Sequence, residues 1–385
     1  MAIQTMKVVV FGLAVSSSWG NGHATLWRGL GRALSARGHR LVFFERDVPY
    51  YAAHRDATAI AGVDLRLYRS WDETQAAAAL ELADADLGMV TSFCPDAPQA
   101  EETLLSSRAR IRCFYDLDTP VTLAALSAGG RVAYLGERGL RDYDLVLSYT
   151  GGRALDQLRE RLGAQLVEPL YGSVDPQVHR PDRDPPAPFR SAPRPALSYL
   201  GTYAPDRQPA LDQLFLRPAE RRPARRFVIG GAQYPTERRW PANVEYVGHV
   251  APAGHPAFYG TAALTLNVTR AAMAAMGHCP SARLFEAAAC GVPVVSDAWE
   301  GIERFFQPGE EILLATCTEE ILAAIDRPER ELSAIGRRAR ERALADHTAD
   351  RRALDLERIL ERSLGQLPRA AAAARPAIAL AAGDG

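Results

Sequence analysis

The chain opens on an almost unbroken apolar run, Lys7-Val8-Val9-Val10-Phe11, that stops at Gly12. A short run without polar alternation predicts a strand buried on both faces. Residues 12–22 are rich in Gly and Ser, and residues 25–37 carry apolar side chains at helical spacing before Gly38. A second strand is predicted over 40–44. Further short apolar runs at 65–67, 87–90, 112–115 and 145–148 leave room for helices between them. Repeated strand–helix units predict a parallel, doubly wound sheet.

The pattern starts again after residues 181–195, which are rich in Pro, Arg and Asp and read as a linker. Strands are predicted at 196–200, 227–229, 244–246, 264–268 and 292–296. Helices are predicted at 210–216, 281–290, 319–325 and 329–345. An amphipathic helix over 347–364 gathers Leu354, Leu356, Ile359 and Leu360 on one side. Beyond Pro368 the chain is Ala-rich and reads as a disordered tail. The expected organisation is an α/β domain over 1–180, the linker 181–195, a second α/β domain over 196–346, a closing helix over 347–366 and a tail over 367–385.

Composition narrows the picture. The chain has 385 residues, 47% hydrophobic and 24% charged, with a formal net charge of −1. This is the composition of a globular protein of two domains and excludes a coiled coil, a collagen-like repeat or a mostly disordered chain. Near-neutral charge supplies no broad basic field, so no nucleic-acid partner is expected. Lysine occurs once, at Lys7, among 45 basic residues, so cationic contacts to a ligand fall to arginine. Five cysteines with no C-x-x-C argue against a disulfide framework or a zinc site of that type; buried thiols are expected. No stretch reaches the ~18 apolar residues of a membrane span, and the first apolar run is too short for a signal peptide. No integral membrane segment and a cytoplasmic location are the expectations.

Ligands of doubly wound sheets bind outside the carboxyl ends of strands. The loop after the first strand contains Gly20, Asn21, Gly22 and His23. Its glycines permit close backbone approach, and the following helix offers unpaired N–H groups to an anion. It is not G-x-G-x-x-G, so a dinucleotide site is not indicated. His23 is a candidate general base or a polar cap. After the run at 112–115, Asp116 and Asp118 stand two residues apart, followed by Thr119 and Pro120. Asp116 is a candidate general base or hydroxyl acceptor, whereas Asp118 or Thr119 suits a helix N-cap. A D-x-D pair also raises divalent-metal binding; the two-domain pattern argues against it, and no metal is expected. Glu45, Arg46 and Asp47 form a charged cluster suited either to an acceptor or to a solvated turn. The aromatics Trp19, Tyr50, Tyr51 and Trp71 suit core or an acceptor surface.

The second half resembles a known family. The segment 170–176, Leu-Tyr-Gly-Ser-Val-Asp-Pro, is similar to the N-G-V-D entry into the second domain of GT-B glycosyltransferases. Residues 198–207, from Ser198 through Gly201 and Thr202 to Arg207, are similar to their G-R-L-x-x-x-K loop. Residues 281–297, Ser-Ala-Arg-Leu-Phe-Glu-Ala-Ala-Ala-Cys-Gly-Val-Pro-Val-Val-Ser-Asp, resemble their donor segment, and Pro308-Gly309-Glu310-Glu311-Ile312 a later P-G-x-E-I. The pattern is most similar to the CgeB-like branch of group 1 glycosyltransferases. It implies a GT-B fold, two Rossmann-like domains with a cleft between them, the first binding an acceptor and the second a nucleotide sugar.

On that resemblance Glu286 holds the ribose hydroxyls, and Arg207, Arg270 and Arg283 with the helix N-terminus at Ser281 neutralise the diphosphate. An Arg283–Glu286 ion pair one turn apart is the structural alternative. The pattern also departs from the family. Thr202 replaces the loop arginine, Arg207 the loop lysine, and His278 stands where larger relatives place a sugar-contacting glutamate. The implied reaction is metal-independent transfer from a UDP-linked sugar to an unidentified acceptor, with retention favoured by analogy and no further cofactor. A non-catalytic relative and a sugar-nucleotide epimerase remain as alternatives.

Overall fold

The computed structural model describes residues 5–182 and 193–366. Most of the expected linker and the whole of the expected tail therefore lie outside the described residues. Seven strands build the first sheet: β1 (Lys7–Gly12), β2 (Arg40–Arg46), β3 (Val63–Tyr68), β4 (Leu87–Thr91), β5 (Ile111–Asp116), β6 (Leu145–Ser148) and β7 (Val167–Pro169). Their order is β3-β2-β1-β4-β5-β6-β7, and the pairings are parallel. Val8, Val9, Val10 and Phe11 are all buried, Val8 and Val10 among one set of core side chains and Val9 and Phe11 among another. The β1 run lacks polar alternation because both faces of its sheet are covered.

Six strands build the second sheet: β8 (Leu197–Leu200), β9 (Phe227–Gly230), β10 (Val244–Tyr246), β11 (Leu264–Asn267), β12 (Val294–Ser296) and β13 (Leu313–Leu314). Their order is β10-β9-β8-β11-β12-β13, again parallel. Each sheet reverses its winding once, between β1 and β4 and between β8 and β11. The crevices outside those strand ends are where such sheets receive ligands.

The last helix, Ala349–Gln366, belongs to the core of the first half, where Ala353, Leu356, Ile359 and Leu360 pack with Leu30, Leu34 and Met89. Burying each such leucine or isoleucine contributes roughly 1.5–3 kcal/mol. The Val174 N–H donates to the His347 carbonyl (2.9 Å) and the Ala349 N–H to the Val174 carbonyl (2.8 Å), fixing the return crossing. Arg37 and His39 both meet the Glu357 carboxylate of this helix, at 2.5 and 2.7 Å.

Several elements differ from the sequence reading, which does not anticipate the short edge strands β7 and β13. The helix expected over 210–216 is part of a longer helical run from Gln208 to Arg221 that widens to π geometry at Asp212–Leu216. Pro218 explains the widening, since it has no N–H to give to the preceding turn. Strand β5 also continues one residue beyond the predicted run, to Asp116, which buries that carboxylate. Four of the five free cysteines are buried and Cys317 is partly exposed. No described helix is long and apolar enough to cross a membrane.

Candidate functional site

The loops after β1 and β5 face those after β8, β9 and β11 across a cavity of about 560 Å³. Its first wall carries Gly20, Asn21, Gly22, His23, Thr25 and Asp118. Its second carries Gly201, Thr202, Arg207, Arg270, Ser281, Arg283 and Glu286. The positions predicted from the glycine loop and the donor-like segment thus come together from both halves.

The first wall is held by buried polar anchors. Glu45, at the end of β2, is fully buried and accepts from the Val15 and Ser16 N–H groups (2.6 and 3.0 Å) and from the Ser16 hydroxyl. Its role is to fix the loop, so Glu45 is neither the acceptor contact nor the solvated turn residue that the sequence left open. Arg46 and Asp47 are tied to Asp96 and Arg55. The Asn21 amide donates to the Ala14 carbonyl (2.9 Å), and its oxygen accepts from the His23 N–H (2.9 Å). His23 opens the helix His23–Ala36, and its Nε2 lies 3.3 Å from Asp118 Oδ2. Burial opposes the Asp118 charge, but the contact with His23 outweighs it and keeps the carboxyl below its usual range.

Asp116 and Asp118 part company here. Asp118 occupies the N-cap position of the helix Thr119–Ser127, yet its side chain makes no cap bond and lines the cavity with His23. Asp116 is fully buried and absent from the cavity wall. Its Oδ1 accepts from the Asp118 N–H (3.0 Å) and the Thr122 hydroxyl (3.1 Å), while Oδ2 is buried without a partner among the described residues. Burial raises its carboxyl to about 7. Asp116 is therefore a loop anchor out of reach of a substrate, which corrects its assignment as a catalytic candidate.

The second wall is arginine-rich. Arg283 lies over the Tyr199 ring, 5.5 Å from its centroid. Its Nη1 and Nη2 donate to the Leu200 and Val268 carbonyls (2.9 and 3.0 Å), and its Nε to the Ser281 hydroxyl (3.0 Å). It binds the ends of β8 and β11 to the start of the helix Ala282–Ala289, with only its remaining N–H groups left for an anion. Arg207 donates to the Thr202 carbonyl (2.9 Å), and its buried Nε has no partner among the described residues. Arg270 pairs with Asp206 at 3.2 Å near the protein surface. Gly231 must be glycine: at φ +152° an added Cβ would collide with the Gly201 carbonyl, and the two loops could not meet.

Glu286 sits one turn into the helix Ala282–Ala289, 4% exposed. The ion pair with Arg283, the structural alternative, is not formed, since the Arg283 hydrogen bonds go elsewhere. The carboxylate accepts from the Tyr259 hydroxyl (3.2 Å) and from the Thr25 hydroxyl of the opposite wall (3.3 Å). His255 Nδ1 and His179 Nε2 lie 3.6 and 3.8 Å from it. Burial works against its charge, but the imidazoles and the Tyr259 hydrogen bond prevail and lower the carboxyl.

His278 also departs from its expected place among the donor-binding residues. Its backbone is left-handed at φ 47°, and its N–H donates to the Glu300 carbonyl (2.6 Å). The ring fills the space between Gly152 and Gly301, where a Cβ on either glycine would strike it. It does not line the cavity. It joins the halves instead, because its carbonyl accepts the Gly151 N–H (3.0 Å). Trp71 is core, whereas Trp19 stacks on His54 (4.2 Å) and tilts against His249 (4.6 Å) of the second half.

Sequence reading missed His179, His249, His255 and Tyr259. The only available signal for His255 and Tyr259 was their place after β10, in the helix His255–Thr261. His179 carried none, because it reaches the site from the segment that leaves the first sheet.

Residues 207–358 match a family described as glycosyl transferase-like. No curated protein matches the chain. Among solved structures it is similar to sucrose-phosphate synthase from Thermosynechococcus elongatus, with 16% identity, a TM-score of 0.65, and 94% of this chain and 100% of that one covered. It is similar to Anabaena HepE in complex with UDP-glucose, with 12% identity, a TM-score of 0.64 and the same coverage. It is also similar to the catalytic domain of starch synthase IV from Arabidopsis thaliana bound to ADP and acarbose, with 13% identity, a TM-score of 0.63, and 94% and 100% covered. The fold is GT-B, two Rossmann-like domains facing across a cleft. Together with the matched segment it supports a function in glycosyl transfer.

Proposed function

We propose that the protein is a nucleotide-sugar-dependent glycosyltransferase of the hexosyl-transferring type, in the CgeB-like branch that its donor segment resembles. The carrying observation is the cavity itself. It joins a cationic wall, with Arg207, Arg270, Arg283 and the N-terminus of the helix Ala282–Ala289, to a wall with the His23–Asp118 pair. Glycosyl transfer needs charge stabilisation on the departing diphosphate. Arginine and helix N–H groups supply it with no metal on the diphosphate. Glu286 accepts from the ribose hydroxyls, Thr202 and Gly201 border the diphosphate, and Gly20 and Gly22 border the acceptor. A UDP-linked donor is in keeping with the UDP-glucose named for the HepE complex.

Retention is the stereochemistry suggested by resemblance. The His23–Asp118 contact favours a second reading, inversion, in which His23 takes the acceptor proton and Asp118 orients the imidazole and stabilises its charged form. The discriminating experiment incubates purified protein with a panel of nucleotide sugars, follows melting temperature and release of nucleotide, and assigns the anomeric configuration of product by NMR. One diphosphate sugar that raises the melting temperature and is turned over supports the reading. Absence of both binding and turnover across the panel overturns it in favour of a non-catalytic GT-B protein.

A further inference from the structure

Behind the cavity, three groups from distant parts of the chain converge on one small volume. His179 follows the exit from the first sheet, His255 begins the helix His255–Thr261, and Glu286 lies in the helix Ala282–Ala289. The donor atoms all lie within 4.8 Å of one another. His179 Nε2 is 3.2 Å from His255 Nδ1, and the two imidazole nitrogens lie 3.8 and 3.6 Å from Glu286 oxygens. A tetrahedral ion bound at about 2.0–2.1 Å holds its donors roughly 3.3–3.4 Å apart. The His–His spacing matches that of two ligands around one ion, and the carboxylate, with Oε1 turned to His179 and Oε2 to His255, faces the same volume.

The surroundings agree with that use. His255 Nε2 lies 3.2 Å from the Val250 carbonyl, which places the proton on Nε2 and leaves the Nδ1 lone pair facing the other two groups. Metal-bound imidazoles are oriented by such a bond from their other nitrogen. Tyr259 and Thr25 donate to the Glu286 carboxylate and fix its plane. His179 is 2% exposed, so packing rather than solvent holds its ring against the cluster.

We infer that His179, His255 and Glu286 form a binding site for one divalent transition-metal ion of the zinc class. Two imidazoles and a carboxylate suit zinc by donor type, and three protein ligands leave a fourth position for water or a ligand oxygen from the cavity that His255 and Glu286 line. The ion clamps the exit segment of the first half to two helices of the second. It is separate from Asp116 and Asp118, the pair that raised the metal question in the sequence. The inference does not need the glycosyltransferase reading, but the two share Glu286: the ion takes one carboxylate oxygen and leaves the other for a ribose hydroxyl.

The test uses untagged full-length protein, stripped with a chelator and titrated with Zn²⁺ by calorimetry, with Co²⁺ as a spectroscopic substitute. One Zn²⁺ per chain is expected, and Co²⁺ is expected to show the intense visible absorption of a tetrahedral site in the unsubstituted chain. His179→Ala and His255→Ala should each weaken Zn²⁺ binding more than about 100-fold, since even outer partners of a metal site are worth about 10–100-fold. His23→Ala, in the same cavity but outside the cluster, should bind Zn²⁺ as the parent does. No stoichiometric Zn²⁺ in the stripped parent, a weak octahedral Co²⁺ spectrum, or unchanged affinity in both cluster variants would overturn the site.

Discussion

Thr25 and Glu286 meet across the cleft. The Thr25 hydroxyl, on the first helix of one half, lies 3.3 Å from Glu286 Oε1 on a helix of the other, and it also lies 3.0 Å from the Gly22 carbonyl. The carboxylate proposed to receive a ribose is thus already touched by the opposite wall. Hydrogen bonds to a charged group contribute about 1.5–3 kcal/mol each. Glu286→Ala should therefore weaken nucleotide-sugar binding by at least about tenfold, measured by calorimetry. Thr25→Val, which removes only a shared contact, should shift the same affinity by less than about threefold. Equal affinities in Glu286→Ala and the parent would remove Glu286 from the donor site.

His23 decides the stereochemical reading. If it is the base of an inverting reaction, His23→Ala should lower kcat by about 10²–10⁴ with little change in donor Kd. Asp118→Asn should follow it in part, since it disturbs orientation and charge but not the imidazole. A retaining reaction predicts less than about tenfold in either variant. Product anomer by NMR and kcat from nucleotide release settle the two together.

Asp116 makes an opposite kind of prediction. Its carboxyl lies at about 7 in the folded protein against an ordinary value of 3.8. Between about pH 4 and 7 the native state keeps this proton while the unfolded chain has lost it, so this group makes stability fall as pH rises through that window. The full span is on the order of 4 kcal/mol, at about 1.4 kcal/mol per pKa step. Asp116→Asn should flatten that decline in urea midpoints between pH 4 and 7, and leave kcat within about threefold because the residue does not reach the cavity. A large loss of kcat with unchanged stability would restore it as a catalytic group.

Arg283 and Arg207 should separate by readout. Arg283 holds two strand-end carbonyls and Ser281, so Arg283→Ala leaves those acceptors unpaired. It should destabilise the fold by roughly 2–4 kcal/mol in denaturant titrations. Arg207 makes fewer internal contacts, so Arg207→Ala should act more on turnover, lowering kcat/KM by about 10²–10³ while costing less stability. The reverse pattern would exchange their roles.

Much of the site was legible in the chain because doubly wound sheets put ligand loops directly after strands. Gly20, Gly22 and His23 follow β1, Gly201 and Thr202 follow β8, and Arg270 follows β11. Gly20, Gly22 and His23 are legible from the strand pattern alone, whereas Gly201 and Thr202 come from the resemblance to the GT-B loop and Arg270 from both. The errors have one physical origin. Asp116 and His278 were judged by distance along the chain from a strand or motif, whereas burial is set by where the strand ends and by backbone conformation. One more residue of β5 sealed Asp116 in the core, and a left-handed φ turned His278 into a wedge between two glycines.

The sequence by itself determined two parallel α/β halves and a near-neutral protein whose ligand-facing cations are arginines, because periodicity and composition are local quantities. Only the tertiary structure decided which of Asp116 and Asp118 faces His23. It also decided that Arg283 holds strand ends rather than Glu286, and that Glu286 meets Thr25, Tyr259, His179 and His255. Those contacts join residues up to 261 positions apart. They arise from the packing of one sheet's crevice against the other's, which no spacing along the chain encodes.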